Sequence, residues 1–316
     1  MKSVILINCY FGKLPSYFSY YLKSVEANPT INFLLVTNDT TEYDYPSNFK
    51  VIYKDFNSFK EDLQKLFDFK ISCDRFYKLC DYKPCFGKLF YDDVKNYDFW
   101  GYADIDLVWG DIRHFMTEEV LSAGYDKIQT AGHFTIMPVT EESLNFYTQE
   151  TENGLSYKKV FTGEENFAFD EWPGMATKYT QLGKKIYNEV NDFSDLSYRT
   201  SYFLPSEEAY RRLCCLKIYH SHNTVFYFNK GKLFNVSIEN GKVRFKQTTY
   251  VHFQKRKVSA KSTATDEFVI LPPGKIVDEI PDFTEKYLKK HAKERKFNFA
   301  YIKLRWKNLL KKLKKK

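Results

Sequence analysis

Two carboxylates one residue apart, Asp104 and Asp106, are the side chains of this sequence best placed to hold a metal ion. They follow an apolar, aromatic run, residues 97–103, whose composition predicts a buried β-strand. Alternate residues on an extended segment point the same way, so both carboxylates can face one ion. Mg²⁺ and Mn²⁺ prefer oxygen ligands and are often held by one or two carboxylates plus substrate phosphates. The pattern therefore indicates a divalent-metal site for a phosphorylated substrate.

Two later clusters could complete such a site. His252 offers an imidazole, a reasonable third ligand for Mn²⁺, and it is followed by Lys255 and Arg256. Positive charge at these two positions would stabilise phosphates that leave as a bond breaks. Asp170 and Glu171 are paired acids among aromatic residues, just before a Pro-Gly turn. Either acid could act as a base toward an acceptor hydroxyl.

The elements that must position these groups begin with a strand over 3–9, a helix over 16–26 and a strand over 31–37. This strand–helix–strand unit is typical of a nucleotide-binding α/β domain. In open α/β sheets the ligand lies outside the carboxyl ends of the strands. The residues expected near a nucleotide are therefore Asn8, Cys9, Tyr10, Phe11, Thr37, Asn38 and Asp39.

Further along the chain, Lys83-Pro84 predicts the start of a helix that runs to about Val94, because proline is well placed in a first turn. A lysine there would add charge to backbone donors that can hold an anion, so Lys83 is a candidate phosphate contact. The other predicted elements are a strand over 50–53, helices over 57–69 and 141–150, a strand over 127–138, a hairpin over 233–252 and a loop over 259–266.

The charge of the chain is concentrated at its end. The net charge is +8, but residues 285–316 hold 14 Lys/Arg and 2 Asp/Glu. Apolar residues recur on one face of this segment at helical spacing: Phe299, Ile302, Trp306, Leu309, Leu310 and Leu313. The pattern predicts a helix in an anionic membrane interface. A helix packed on its own domain and a nucleic-acid-binding tail are the alternatives, and no nucleic-acid partner is expected.

The expected organisation is one catalytic domain over 1–260, a linker over 261–282 and a basic amphipathic helix over 283–316. The six cysteines include no C-x-x-C pair, which favours free thiols in a reducing cytoplasm over metal binding by Cys80 and Cys85. The sequence shows neither a signal-peptide pattern nor an apolar run long enough to span a membrane. We therefore expect a cytoplasmic protein, peripherally associated with the inner face of the cytoplasmic membrane.

Four short motifs in order carry a family resemblance over residues 1–257: Tyr10-Phe-Gly12, Asp81-Tyr-Lys-Pro84, Trp100-Gly-Tyr-Ala-Asp-Ile-Asp106 and His252-Phe-Gln-Lys-Arg256. They resemble bacterial glycosyltransferases associated with capsule, exopolysaccharide and lipopolysaccharide synthesis. More distantly, the chain is similar to glycogenin-like transferases of the GT-A fold. It departs from them in having Lys255-Arg-Lys257 where that group has Lys-Pro-Trp, which leaves the details of phosphate contact open.

The resemblance implies a GT-A-like (Rossmann-like) α/β domain with a mixed central sheet. Its implied reaction moves a sugar from a nucleotide-sugar, most simply a UDP-sugar, to a glycan or lipid-linked acceptor, with Mn²⁺ or Mg²⁺ as cofactor. The implied metal ligands are Asp104, Asp106 and His252, and the implied catalytic acids are Asp170 and Glu171. The implied nucleotide and phosphate contacts are Tyr10, Phe11, Thr37, Asn38, Asp39, Asp81, Lys83, Lys255 and Arg256. The implied acceptor residues are Gly132, His133 and Trp172.

Three other classes of function remain open from the sequence. A phosphatase or phosphotransferase of the haloacid-dehalogenase type also has D-x-D after an apolar strand, with the first Asp as nucleophile. That motif normally ends the first strand of its domain, whereas about 100 residues precede Asp104 here. A nucleotidyltransferase would share the fold and the use of metal. A non-enzymatic protein could use the basic tail to bind membrane or nucleic acid. For a glycosyltransferase, retention and inversion of the anomeric configuration both remain possible.

Overall fold

The computed structural model describes residues 1–189, 193–196, 200–203, 222–254 and 256–294, and residues 298, 299, 301–303, 305, 306 and 310. The described residues form the strands β1 (Val4–Tyr10), β2 (Ile31–Thr37), β3 (Phe49–Tyr53), β4 (Phe99–Ala103), β5 (Leu107–Trp109), β6 (Lys127–Ile128), β7 (Phe134–Pro138), β8 (Ile186–Tyr187), β9 (Ser194–Asp195), β10 (His222–Asn229), β11 (Lys232–Glu239), β12 (Lys242–Gln247), β13 (Tyr250–His252), β14 (Glu267–Leu271) and β15 (Lys275–Val277).

The helices of the same residues are α1 (Phe18–Glu26), α2 (Phe56–Gln64), α3 (Leu79–Tyr82), α4 (Phe86–Leu89), α5 (Tyr91–Val94), α6 (Ile112–Phe115), α7 (Glu118–Ser122), α8 (Glu141–Asn145), α9 (Tyr157–Thr162), α10 (Met175–Gln181) and α11 (Glu285–His291). Short 3₁₀ turns occupy Phe76–Lys78, Lys83–Cys85 and Phe146–Thr148. The predicted strand–helix–strand unit at the start is thus confirmed as β1, α1 and β2.

A mixed sheet is the centre of the fold, and in the described part of the chain it has seven strands in the order β3-β2-β1-β4-β7-β6-β8. Strands β3, β2, β1 and β4 are parallel, and β7 runs antiparallel to β4. Both faces are covered, since Val4 and Leu6 of β1 belong to one core cluster and Ile5 and Ile7 to the other. The predicted α/β class with a mixed central sheet is confirmed, with four parallel strands beside one reversed strand.

Two smaller sheets complete the described fold. One has the order β5-β13-β9 and lies beside the carboxyl end of β4. The other is antiparallel, with the order β12-β11-β10-β14-β15, and α11 packs on it through Leu288 and Ala292. The prediction of a linker over 261–282 is wrong, because this segment supplies β14 and β15. The apolar run Phe268–Leu271 is fully within the core and pairs with β10.

Three long predicted elements are broken in the structure. The run 97–112 gives β4 and β5, which belong to different sheets and are separated by residues 104–106. Residues 127–138 form β6 and β7 with a turn between them, where Gln129 has a left-handed φ of 64°. The helix predicted over 83–94 is a series of short turns that change direction at Phe90, where φ is −108° and ψ is 37°. In each case the apolar pattern is continuous although the backbone path is not.

The C-terminal segment does not start as a free amphipathic helix. Its first helix, α11, is anchored on the antiparallel sheet, with Leu288 fully buried. Beyond it, the apolar side chains of Phe299, Ile302, Trp306 and Leu310 are exposed by 82%, 49%, 64% and 42%. The predicted face also includes residues 309 and 313, which lie outside the described residues. No helix among the described residues combines the length and apolar character needed to cross a bilayer.

Candidate active site

The turn that carries Asp104 and Asp106 is held from three sides at the carboxyl end of β4. The side chain of Asn8, buried at the end of β1, donates from Nδ2 to the carbonyl of Ala103 at 2.6 Å. The amide of Asp104 donates to the carbonyl of His133 at 3.0 Å. Ile105 is buried between the two acids, so their carboxylates project together toward solvent.

The sheet β5-β13-β9 brings distant residues to this turn. His252 of β13 pairs with Leu107, the residue after Asp106, and on its other side with Asp195 of β9. The amide of Phe253 donates to the carbonyl of Asp106 at 3.0 Å, which fixes the register. As a result, His252 Nε2 lies 3.3 Å from Asp106 Oδ1.

The side chains of Asp104, Asp106 and His252 converge enough to share one ion, since one ligand atom from each lies within 4.8 Å of the others. Asp195 Oδ1 lies 2.7 Å from His252 Nδ1 and also accepts from Gln254 Nε2 at 2.8 Å. A carboxylate on Nδ1 favours the proton there, so Nε2 is the nitrogen aimed at the shared position. Two carboxylates and an imidazole suit Mn²⁺, and the residues present therefore fit the implied divalent ion.

The charge of His252 is set by its acidic neighbours. Burial opposes protonation, but Asp106 and Asp195 outweigh it and hold the His252 pKa well above its ordinary value. The two carboxylates therefore favour the protonated form of the ring. A divalent ion bound to Nε2 would replace that proton and take over the neutralisation of Asp106.

Lys83 links the turn that carries Asp104 and Asp106 to the second acidic pair, Asp170 and Glu171. Its buried Nζ lies 2.6 Å from Asp104 Oδ1 and 3.0 Å from Asp170 Oδ2, and it donates to the Gly132 carbonyl at 2.8 Å. Burial disfavours its charge, but Asp104 and Asp170 raise the Lys83 pKa well above its usual value. The expected helix N-terminus is absent, because residue 83 lies in a 3₁₀ turn directly after α3. Any contact with phosphate must therefore come from Nζ alone.

Gly132 is required by the close approach of Asp170. A Cβ atom at position 132 would lie 2.4 Å from Asp170 Oδ2. Tyr102 supports the same acid from below, since its hydroxyl donates to the Asp170 carbonyl at 3.1 Å. The absence of a side chain at Gly132 thus leaves the room that Asp170 needs to reach Lys83.

The loop that carries Asp170 and Glu171 is clamped by a buried ion pair. Asp81 accepts from the amides of Phe167 and Phe169 at 3.0 Å, and its Oδ2 lies 2.8 Å from Lys78 Nζ. Asp81 is 0% exposed. The prediction that Asp81 contacts the nucleotide or its phosphates is wrong, because its carboxylate is used entirely to hold this loop.

Two cavities meet at the carboxylate pair. The first, of about 470 Å³, has six aromatic side chains in its wall and is called the aromatic cavity below; it is lined by Cys9, Tyr10, Phe11, Pro15, Tyr17, Phe76, Tyr77, Leu79, Cys80, Lys83, Phe86, Ala103, Asp104, Ile105, Asp106 and Gln254. The second, of about 340 Å³, is polar and is lined by Tyr77, Cys80, Lys83, Asp104, Asp106, Gly132, His133, Asn166, Ala168, Asp170, Glu171, Asp195, His252 and Gln254. Asp104, Asp106 and Lys83 line both cavities, so they form the boundary between them.

Glu171 differs from Asp170 in its surroundings. In the described residues its carboxylate has neither a hydrogen bond nor an ion pair, whereas Asp170 is paired with Lys83. Burial, and after it the negative charge of Asp170, raises the pKa of Glu171 to about 7. A carboxyl group with such a pKa can exchange protons with a substrate near neutral pH.

Thr37, Asn38 and Asp39, which were predicted to contact the nucleotide, hydrogen-bond to nearby backbone amides. Asn38 Oδ1 accepts from the amide of Gly12 and Asp39 Oδ2 from the amide of Leu14, both at 2.7 Å. Thr37 is buried and accepts from the amide of Asp39 at 3.1 Å. These residues do not line either cavity in the described structure and instead hold the loop that follows Tyr10 and Phe11. Their bonds to this loop give these residues a structural role, and their contact with a nucleotide stays a prediction.

The remaining predicted residues are scattered. Arg256 donates to the carbonyls of Pro273 at 3.0 Å and Tyr202 at 2.8 Å, away from the cavities, so its predicted contact with phosphate is not formed. Lys255 lies outside the described residues. Trp172 is 40% exposed and is not among the residues that line either cavity.

Sequence reasoning missed two residues of the site. Gln254 could have been found, because it alternates with His252 after β13 and such residues share a face. Asp195 could not, because it lies in a two-residue strand whose place beside His252 follows only from long-range pairing.

The fold and the site together define a class: α/β proteins with a mixed central sheet, and with paired carboxylates and a histidine at the strand ends. The chain belongs to the Family of unknown function (DUF6625), whose model matches residues 6–279. No curated protein matches the chain at a significant level.

Two solved structures are similar to part of the chain. The galactosyltransferase LgtC in complex with donor and acceptor sugar analogs is 13% identical, with a TM-score of 0.35, over 61% of this chain and 75% of that one. The glycosyltransferase GlyE of Streptococcus pneumoniae TIGR4 is 12% identical, with a TM-score of 0.32, over 61% of this chain and 46% of that one. Likeness at this level does not bear on activity.

Asp195→Asn should weaken Mn²⁺ binding by about 10- to 100-fold, the usual effect of removing a carboxylate that orients a histidine ligand. The amide cannot hold the proton on His252 Nδ1 as the carboxylate does. Isothermal titration calorimetry with Mn²⁺ measures the change, and the exposed Asp282→Asn serves as matched control. Equal Mn²⁺ affinity in Asp195→Asn and wild type would contradict the assigned role.

Proposed function

We propose that this protein is a metal-dependent glycosyltransferase that uses a nucleoside-diphosphate sugar. The observation that carries the proposal is the position of Asp104 and Asp106 between an aromatic cavity and a polar one. A donor of this kind has an aromatic base at one end, a sugar at the other and a diphosphate between them. The two cavities and their acidic boundary match that order of chemical groups.

The aromatic cavity is suited to the nucleoside. Phe11 packs against Phe76 with ring centroids 6.1 Å apart, and Phe76 and Tyr77 are 47% and 61% exposed at the opening. Exposed aromatic faces beside a cavity can stack on a base. Tyr10 and Phe11, two residues predicted to contact the nucleotide, both line this cavity, which supports its assignment to the nucleoside.

The acidic boundary is suited to the diphosphate. Asp104, Asp106 and His252 would hold Mn²⁺ or Mg²⁺, and such an ion neutralises the diphosphate as it leaves. Lys83 would supply a further positive charge at the same point, because its Nζ already touches Asp104. Asp195 fixes His252, and Asn8 fixes the backbone before Asp104, so these groups are positioned before the substrate enters.

The polar cavity is suited to the transferred sugar and the acceptor. Asp170 is held by Lys83, which makes it a fixed acceptor for sugar hydroxyl groups. Glu171 is the better candidate for the proton, because it is free of ion pairs among the described residues and its pKa is about 7. His133 and Gly132 also line this cavity and remain candidate acceptor residues.

The finer assignment follows the sequence motifs. Their resemblance to bacterial glycosyltransferases supports a UDP-sugar donor and a glycan or lipid-linked acceptor in the synthesis of a surface polysaccharide. The basic C-terminal segment supports attachment to the inner face of the cytoplasmic membrane, because Phe299, Ile302 and Trp306 are exposed beside many lysines. Each Lys or Arg near an anionic surface contributes about 1 kcal/mol to binding.

With Mn²⁺ and a set of UDP- and GDP-sugars, the purified protein should release nucleoside diphosphate slowly from one donor. Asp106→Asn should abolish this release and metal-dependent donor binding, because it removes a carboxylate at the boundary of the cavities. The matched control is Asp92→Asn, whose side chain is 89% exposed. Full turnover in Asp106→Asn would contradict the proposed site.

The same assay separates the alternatives. Release of inorganic phosphate would favour the phosphatase, and exchange of pyrophosphate would favour a nucleotidyltransferase. The structure weighs against the haloacid-dehalogenase type, since D-x-D follows β4, the fourth strand of the central sheet along the chain. No turnover with any donor would favour a binding protein.

The rate of donor cleavage should rise with pH through about 7, because Glu171 accepts a proton only in its charged form and its pKa is raised to that value. Glu171→Gln should lower the rate by about 100-fold or more. It should also remove the rise near pH 7. A pH–rate profile of both proteins at saturating Mn²⁺ measures this, and an unchanged profile in Glu171→Gln would assign the proton transfer to another group.

Deletion of residues 297–316 should lower sedimentation with vesicles that contain phosphatidylglycerol, because it removes most of the exposed apolar face and much of the basic charge. Trp306→Ser in the full chain tests the apolar contribution separately. Vesicles of phosphatidylcholine alone serve as control. If deletion leaves sedimentation unchanged, membrane attachment through this segment is wrong.

A further inference from the structure

A second set of metal-binding side chains overlaps the first. One ligand atom from each of His133, Asp195 and His252 lies within 4.8 Å of the other two. All three residues are buried, at 6%, 6% and 8% exposure, and all three line the polar cavity. The set contains two imidazoles and one carboxylate, whereas Asp104, Asp106 and His252 contain one imidazole and two carboxylates.

His133 Nε2 is buried and has no hydrogen-bond partner among the described residues, which indicates that a ligand could bind there. A buried polar atom without a partner costs free energy, so such atoms are rare unless water, an ion or a substrate satisfies them. Its ring stacks on His252 with centroids 4.2 Å apart and is enclosed by Phe193 and Tyr250. The ring is therefore held next to the metal-binding histidine by packing rather than by hydrogen bonds at Nε2.

We propose that His133, Asp195 and His252 form a second metal site, selective for Zn²⁺, that excludes the ion bound by Asp104 and Asp106. Imidazole-rich sets with one carboxylate suit Zn²⁺, while oxygen-rich sets suit Mg²⁺ and Mn²⁺. Zinc–ligand distances of about 2.0–2.2 Å place tetrahedral ligands roughly 3.4 Å apart. Binding therefore requires the His133 and His252 rings, which are stacked with an interplanar angle of 25°, to rotate until each directs a nitrogen at the same position.

The two sites cannot be filled together because both need His252. In the oxygen-rich site, Asp195 holds His252 Nδ1 and leaves Nε2 for the ion. In the second site, Asp195 becomes a ligand itself and no longer orients the ring. Zn²⁺ would thus compete with Mn²⁺ for His252 while leaving Asp104 and Asp106 without their histidine. This inference goes beyond the proposed transfer reaction and does not depend on it, because binding is measured without a sugar nucleotide.

Calorimetric titration of the full chain with Zn²⁺ alone tests the proposal. His133→Phe, which keeps a planar ring in the stack, should weaken Zn²⁺ binding at least about 10-fold and leave Mn²⁺ affinity unchanged. The double variant Asp104→Asn, Asp106→Asn should show the reverse, with Mn²⁺ binding lost and Zn²⁺ binding kept. Loss of Zn²⁺ binding in the double variant, with retention in His133→Phe, would overturn the second site.

X-ray absorption at the zinc edge of the wild-type protein gives an answer that does not depend on any variant folding. The proposed site predicts two imidazole ligands on one Zn²⁺. Addition of excess Mn²⁺ should release Zn²⁺ in a competitive manner. A spectrum with one imidazole or none, or Zn²⁺ and Mn²⁺ bound at the same time, would overturn the proposal.

Discussion

The structure depends on the balance of charge around five carboxylates that line one polar cavity. Asp104, Asp106, Asp170, Glu171 and Asp195 come from three separate segments of the chain, and like charges so close oppose folding. Lys83 balances Asp104 and Asp170, and the protonated His252 balances Asp106 and Asp195. Glu171 has no such cation among the described residues, and its pKa rises to about 7. A divalent ion at the first pair would extend the same balance to a bound diphosphate.

Each acidic group is positioned by a different part of the fold. The carboxyl end of β4 and the side chain of Asn8 set the turn at Asp104, and the sheet β5-β13-β9 sets His252 against Asp106 and Asp195. The buried pair of Lys78 and Asp81 holds the loop before Asp170. The acidic groups are thus fixed in place by strand pairing and by buried hydrogen bonds.

Local patterns in the sequence were sufficient for the α/β class and the first strand–helix–strand unit, and they singled out Asp104, Asp106 and His252, whose side chains converge in the structure. They were sufficient because side chains alternate along an extended segment, so an apolar run predicts a buried strand and D-x-D predicts two carboxylates on one side. Asp81 was misassigned because a polar side chain can bind backbone as well as ligand, and only the tertiary contacts show that this carboxylate is buried. Thr37, Asn38, Asp39 and Arg256 also bind backbone or its neighbours in the structure, which local sequence patterns do not reveal. The strands β14 and β15 were missed because they follow a Ser/Thr-rich loop that looks like a linker.

The central claim is that Asp104, Asp106 and His252, from distant parts of the chain, bind one divalent ion. Pulsed electron paramagnetic resonance of the Mn²⁺-loaded protein tests it most directly, because a directly bound imidazole gives a nitrogen hyperfine coupling. The proposed site predicts this coupling in the wild-type protein and in His133→Phe, and its loss in His252→Phe. Mn²⁺ bound with no nitrogen coupling, or a coupling that survives in His252→Phe, would contradict the claim.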